Sequence, residues 1–138
     1  MNFFFDRCVG VRLARMLDAF DATHTVRHLD DDARFSPKSA DVDIITTVAS
    51  DDPKPVYVTA DLENRTVPAE RQALRDSGMT VIFLRRRFHH IDFHLQAVKL
   101  LTLWPQIVKE CSRCVEPTAF EITPAANKLN RIGWTRTL

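Results

Sequence analysis

Two apolar runs in this chain end on a carboxylate. "FFFD" closes on Asp6, and "PVYVTAD" closes on Asp61 with a hydroxyl, Thr59, two positions earlier. Between them "ADVDII" opens an apolar helical pattern with Asp41 and Asp43 in its first turn. If the two runs are near neighbours in one parallel sheet, Asp6 and Asp61 project over the same edge, and the helix-opening acids can reach that end too. Three or four convergent carboxylates repel one another unless a divalent cation neutralises them. All-oxygen ligands that leave room for water suit Mg²⁺ or Mn²⁺. Such an ion polarises a phosphodiester and lowers the pKa of a bound water for in-line attack. Thr59 faces the side of Asp61 by the two-residue strand period, where it can orient a carboxylate, water or phosphate. Each acid alone has an ordinary explanation, as a turn or cap residue or as a partner of the helix dipole. Only their joint arrangement points to chemistry.

Other chemistries fit less well. A phosphoacceptor receiver domain wants an acidic pair after its first strand and a lysine after a late one; this chain offers one acid in "FFFDRCVG" and arginines in "IFLRRRF". A haloacid-dehalogenase-type phosphatase wants a second Asp two residues after the first, and Cys8 stands there. In "LRRRFHH", Arg85, Arg86 and Arg87 can meet phosphates and Phe88 can stack a base, although a solvated basic loop reads equally simply. His90 and His94 have a four-residue spacing on a helical pattern but no third ligand in view. Cys111 and Cys114 form one C-x-x-C with no second pair, at the end of a helix, which suits neither a zinc ribbon nor a redox motif.

The elements that must position these residues follow from periodicity. Phe3–Phe5 is too short for a helix and reads as a buried strand. Val9, Leu13, Met16, Leu17 and Phe20 recur at helical spacing. "THTVRHL" is a second strand, and residues 40–50 are a helix with Val42, Ile45, Val48 and Ala49 on its apolar face. "KPVYVTA" is a third strand, followed by a helix with Pro68 in its first turn and Gly78 at its end. "MTVIFL" is a fourth, fully apolar strand of the kind buried in a parallel sheet. Residues 91–111 are helical, with Pro105 expected to kink the helix or restart it. "TAFEIT" alternates like an edge strand, and the last dozen residues read as an extended basic tail. Alternating strands and helices predict an α/β domain with a mostly parallel, Rossmann-like sheet, whose functional crevice lies beyond the carboxyl ends of its strands.

At 138 residues the chain suits one domain, 1–138, with a core over about residues 2–110 and a C-terminal extension over about 112–138. Apolar residues make up 45% and charged residues 27%, and no apolar run approaches the roughly 18–20 residues of a membrane span. "MNFFFDRC" has no basic leader, so no signal peptide is expected. Three cysteines are too few for a disulfide framework, and a reducing cytoplasm is the expected compartment. A net charge of +1 hides acids crowded between residues 28 and 54 and bases gathered later, a pattern suited to an acidic pocket with a basic rim.

The stretches "FFFDRCVGVRLARML", "SADVDIITTVA" and "PVYVTADLENRTVPAERQALRDSGMTVIFL" together resemble the PIN-like domain family, in particular compact relatives of the VapC-type toxins. The order and spacing of the motifs carry the resemblance, over roughly residues 2–110. It implies a three-layer α/β/α sandwich and a metal-dependent endoribonuclease, usually the toxin of a type II toxin–antitoxin pair with RNA as substrate and a cognate antitoxin as partner. It also implies that acids at Asp6, Asp43 (or Asp41) and Asp61 hold Mg²⁺ or Mn²⁺, with Thr59 beside them and Glu63 or Glu70 as the fourth acid. Glu70 has an alternative role in a structural ion pair. Arg7 adds positive charge at the site and, with Arg85–Arg87, is a candidate RNA contact. The apolar stripe Leu95, Val98, Leu101, Leu103 and Trp104 reads as core, with a homodimer or antitoxin surface as the alternative. A module that binds RNA or protein without catalysis is the other reading of the whole chain.

Overall fold

The computed structural model describes residues 1–60, 68–85, 87–125 and 127–133. The strands are β1 (Asn2–Phe5), β2 (Thr25–His28), β3 (Val56–Ala60), β4 (Val81–Leu84), β5 (Ala119–Ile122) and β6 (Asn130–Ile132). The helices are α1 (Val11–Phe20), α2 (Asp41–Ala49), α3 (Pro68–Asp76) and α4 (Phe93–Ser112). Phe3, Phe4 and Phe5 are all buried in β1. A strand apolar on both faces needs cover on both, and each such ring contributes about 1.5–3 kcal/mol by leaving water. The sheet order is β2-β1-β3-β4-β5-β6, parallel except for the β5–β6 pair.

The two faces have separate cores. Phe3, Phe5, Val58, Ile82 and Phe120 pack against Leu13 and Leu17 of α1 and Leu100, Trp104 and Ile107 of α4. Phe4, Tyr57, Val81 and Phe83 pack against Ile44, Ile45 and Val48 of α2 and Leu74 of α3. This is the expected three-layer α/β/α sandwich. A helix that joins parallel strands runs back against them. The first turns of α1, α2, α3 and α4 therefore gather at the carboxyl edge of the sheet, where strand-end acids were expected to meet helix-opening ones.

Four expectations are corrected. Pro105 neither breaks nor restarts its helix, and α4 runs through it for 20 residues. Pro105 lies on the exposed side, where the carbonyl it releases can face solvent, while buried Leu103, Trp104 and Ile107 hold the inner side. The "TAFEIT" segment is not an edge: β5 lies between β4 and β6, and Phe120 and Ile122 are buried on one face with Ala119 on the other. The C-terminal segment read as a tail supplies the true edge, β6, through antiparallel pairing of Asn130–Ile132. Val42 is exposed; the inner face of α2 is Ile44, Ile45, Val48 and Ala49. No described helix is long and apolar enough to cross a membrane.

Candidate metal centre

Asp6 leaves β1 at the carboxyl edge, and its backbone N–H donates to Val58 O at 3.1 Å. Its side chain has two distinct tasks. Oδ1 accepts the Cys8 N–H at 3.0 Å, closing an Asx turn. Oδ2 accepts the Thr59 hydroxyl from the neighbouring strand β3. The turn-former role and the site role of this acid therefore coexist on different oxygens. Asp6 lies two residues beyond Phe4, and Thr59 two beyond Tyr57, so both face the α2–α3 layer. Below them Phe4 and Tyr57 stack with centroids 5.6 Å apart. The turn after Asp6 is anchored from the other side by buried His28, whose Nε2 lies 2.6 Å from Val9 O while Nδ1 accepts the Asp30 N–H at 2.9 Å. These two contacts define the tautomer, with the proton on Nε2.

Two helix-borne acids complete the described cluster. Asp41 lies three, four and seven residues before Ile44, Ile45 and Val48, so it continues the buried stripe of α2 to the sheet edge. Glu70 stands in the same relation to Ala73 and Leu74 of α3. The Glu70 carboxyl meets that of Asp41, a contact that favours a proton on Glu70. Asp43 is exposed and lies about 200° around the helix from Asp41. The helix can turn only one of the two towards Asp6, and that one is Asp41.

The electrostatics follow from this crowding. Asp6 is pushed up to about 7, mainly by burial and further by the Asp41 charge, against the hydrogen bonds from Thr59 and Cys8 and the charge of Arg7. Glu70 is likewise pushed up to about 7, by burial first, then by its hydrogen bond to Asp41 and the charges of Asp41 and Asp6, with Arg7 opposing. Burial and the same three acids push the Cys8 thiol up to about 12, which rules it out as a thiolate nucleophile at neutral pH.

Asp61, Glu63 and Arg86 lie outside the described residues. Among the described residues, no three Asp, Glu, His or Cys side chains stand as a ready metal cage. What Asp6, Asp41 and Glu70 do present is hard carboxylate oxygen, and burial together with the neighbouring acids raises Asp6 and Glu70 to about 7. That donor chemistry fits Mg²⁺ or Mn²⁺ completed by water.

The basic rim differs in detail from expectation. Arg85 is tied to Glu121, Nε to Oε2 at 3.0 Å. Arg87 is exposed, with a positive φ of 64°. Phe88 cannot stack a base, because it is fully buried under the sheet edge. Arg12 in the first turn of α1 belongs to no motif legible in the sequence, yet its guanidinium lies 4.1 Å from the ring centroid of half-buried Phe93 at the start of α4. The available signal was position, since both residues open helices at the functional edge. His90 and His94 do not share a helix: His90 closes a 3-10 turn before α4 begins. Cys8, Cys111 and Cys114 are all free thiols.

Comparison with curated proteins and with solved structures finds no match. The family model described as "PIN like domain" matches residues 1–86, the segment that carries Asp6, Asp41, Thr59 and Glu70. With most of its length matched and the parallel sandwich in place, the chain belongs to the PIN-like domain family.

Proposed function

We propose that this protein is a metal-dependent endoribonuclease that hydrolyses RNA phosphodiester bonds, acting as the toxin of a toxin–antitoxin pair. The observation that carries the catalytic reading is the gathering of Asp6, Asp41 and Glu70 at one sheet edge, where burial and the Asp41 charge raise both Asp6 and Glu70. Asp6, Asp41 and Glu70 would hold Mg²⁺ or Mn²⁺, with Asp61 and Glu63 as further ligands from the segment after β3. The bound ion supplies Lewis acidity, lowering the pKa of water and offsetting charge on the scissile phosphate. Thr59 fixes the orientation of Asp6 by its hydrogen bond. Arg87 and the Arg12–Phe93 pair suit contacts to the phosphates and bases of a single strand.

Substitution tests this reading. Asp6→Asn and Asp61→Asn proteins that remain folded should lose RNA cleavage and Mn²⁺ binding; unchanged cleavage by either overturns the proposal. A second reading, a PIN-like module that binds without catalysis, is favoured by one observation: Arg7 already pairs with Asp41, Nε to Oδ1 at 3.4 Å. Calorimetric titration separates the two. Mn²⁺ binding that disappears in Asp61→Asn supports the nuclease, and no binding at millimolar Mn²⁺ supports the module.

A further inference from the structure

Arg7 follows Asp6 directly, and its side chain reaches across to the segment that leads into α2. One terminal nitrogen donates to Pro37 O at 3.2 Å, and the other donates to Ser39 O. Nε lies 3.4 Å from the Asp41 carboxylate. All three nitrogens of the guanidinium thus hold one five-residue segment, 37–41, which leads into α2.

That segment lacks a restraint of its own at the helix start. The N-cap of α2 is Ala40, which has no side-chain oxygen to accept an orphan N–H. The preceding turn is closed internally, with Ser36 N–H donating to Ser39 Oγ at 2.9 Å and Ser39 N–H to Ser36 O at 3.0 Å. None of these bonds connects the turn to the sheet. The Arg7 fork does, from the residue adjacent to the β1 carboxylate.

We infer that Arg7 is a positioning strut that sets Asp41 against Asp6 and Glu70, and is not an RNA contact. Planarity is what the task requires: two parallel N–H groups meet two backbone carbonyls while Nε faces a carboxylate. A lysine ammonium is one point charge and cannot satisfy three separated acceptors. The consequence for metal binding rests on the cation-centre reading, whereas the strut itself does not.

Arg7→Lys and Arg7→Ala in the full chain test the inference. In the metal-free protein, amide hydrogen exchange at Ile44 and Ile45 should accelerate about tenfold or more in both variants, as local opening of the α2 start becomes easier. The β4 amides Val81–Leu84 should not change. Mn²⁺ affinity, measured by calorimetry, should fall about tenfold in both variants, the usual cost of losing a group that orients a ligand. The salt dependence of RNA binding should stay at the parent slope. Unaltered exchange at Ile44 and Ile45 overturns the strut. Rescue of every property by Lys, with a salt slope smaller by about 0.7 in Ala only, also overturns it and makes Arg7 a phosphate contact. If the parent binds no Mn²⁺ while exchange still responds, the cation reading fails and the strut stands.

Discussion

Thr59 donates its hydroxyl to Oδ2 of Asp6 across the β1–β3 seam, one step beyond the Phe5–Val58 register pair. The bond ties a strand-end carboxylate to the strand that leads towards Asp61. It also favours the ionised form of an acid that burial and the Asp41 charge drive the other way.

Removing that donor should show in the pH profile. Thr59→Val is expected to move the acidic limb of RNA cleavage to higher pH by about half a unit to one unit, since Asp6 loses a hydrogen bond to its charged form. Thr59→Ser should restore the parent profile. Rates measured between pH 5 and 9 check this, and an unmoved limb in Thr59→Val would show that Asp6 ionises without its help.

Asp6 should cost stability where it is ionised only in the unfolded chain. Its folded value is about 7 against an ordinary 3.8, so between these values the unfolded chain releases a proton that the native chain keeps. Metal-free stability therefore falls as pH rises through that window and stays low above it. Asp6→Asn is expected to stabilise the metal-free protein by roughly 1–3 kcal/mol at pH 8, with little gain at pH 3, while RNA cleavage is lost. Urea denaturation at the two pH values measures both.

Cation uptake should expel protons. Asp6 and Glu70 are each raised to about 7 and must ionise to serve as ligands, so Mn²⁺ binding at pH 6 is expected to release more than about one proton, and close to none at pH 8.5. Calorimetry in two buffers of different ionisation enthalpy counts them. Glu70→Gln should lower the count at pH 6 by about one.

The opposite end of the sheet offers a control. Asp21, just past α1, is half-buried, yet its carboxyl is held well below the usual range because N–H donors outweigh that desolvation: His24 N, Trp104 Nε1 and Thr23 N. Trp104→Phe removes the indole donor at 2.8 Å and is expected to cost about 1–2 kcal/mol without altering RNA cleavage. A depressed acid contributes stability above its unfolded pKa and loses it as pH falls, so the gap between parent and variant should narrow below about pH 4. Thermal denaturation at pH 7 and pH 3 tests both claims.

The choice between Asp41 and Asp43 was open to a finer reading of the same residues. Asp41 is in register with Ile44, Ile45 and Val48, whereas Asp43 is in register with exposed Thr46 and half-buried Thr47. Placing Val42 on the inner face of α2 displaced that register and hid the distinction. Glu70 was legible in the same way through Ala73 and Leu74. The path of Arg7 was not, because nothing local in "DRC" indicates that its acceptors are backbone carbonyls thirty residues away. The burial of Phe88 was equally hidden, since an aromatic after a basic run looks the same whether its ring turns outward or under the sheet.

Periodicity and strand-end chemistry were enough to establish the alternating α/β order, the carboxyl-edge crevice and the candidacy of Asp6, because these are properties of single segments and their spacing. The pairing of β1 with β3, the adoption of β6 as an edge, the meeting of Asp41 with Glu70 and the Arg7 tether all required the folded chain. Each depends on contacts between segments far apart in sequence, and sheet register and helix rotation settle such contacts only when both faces of the sheet are packed.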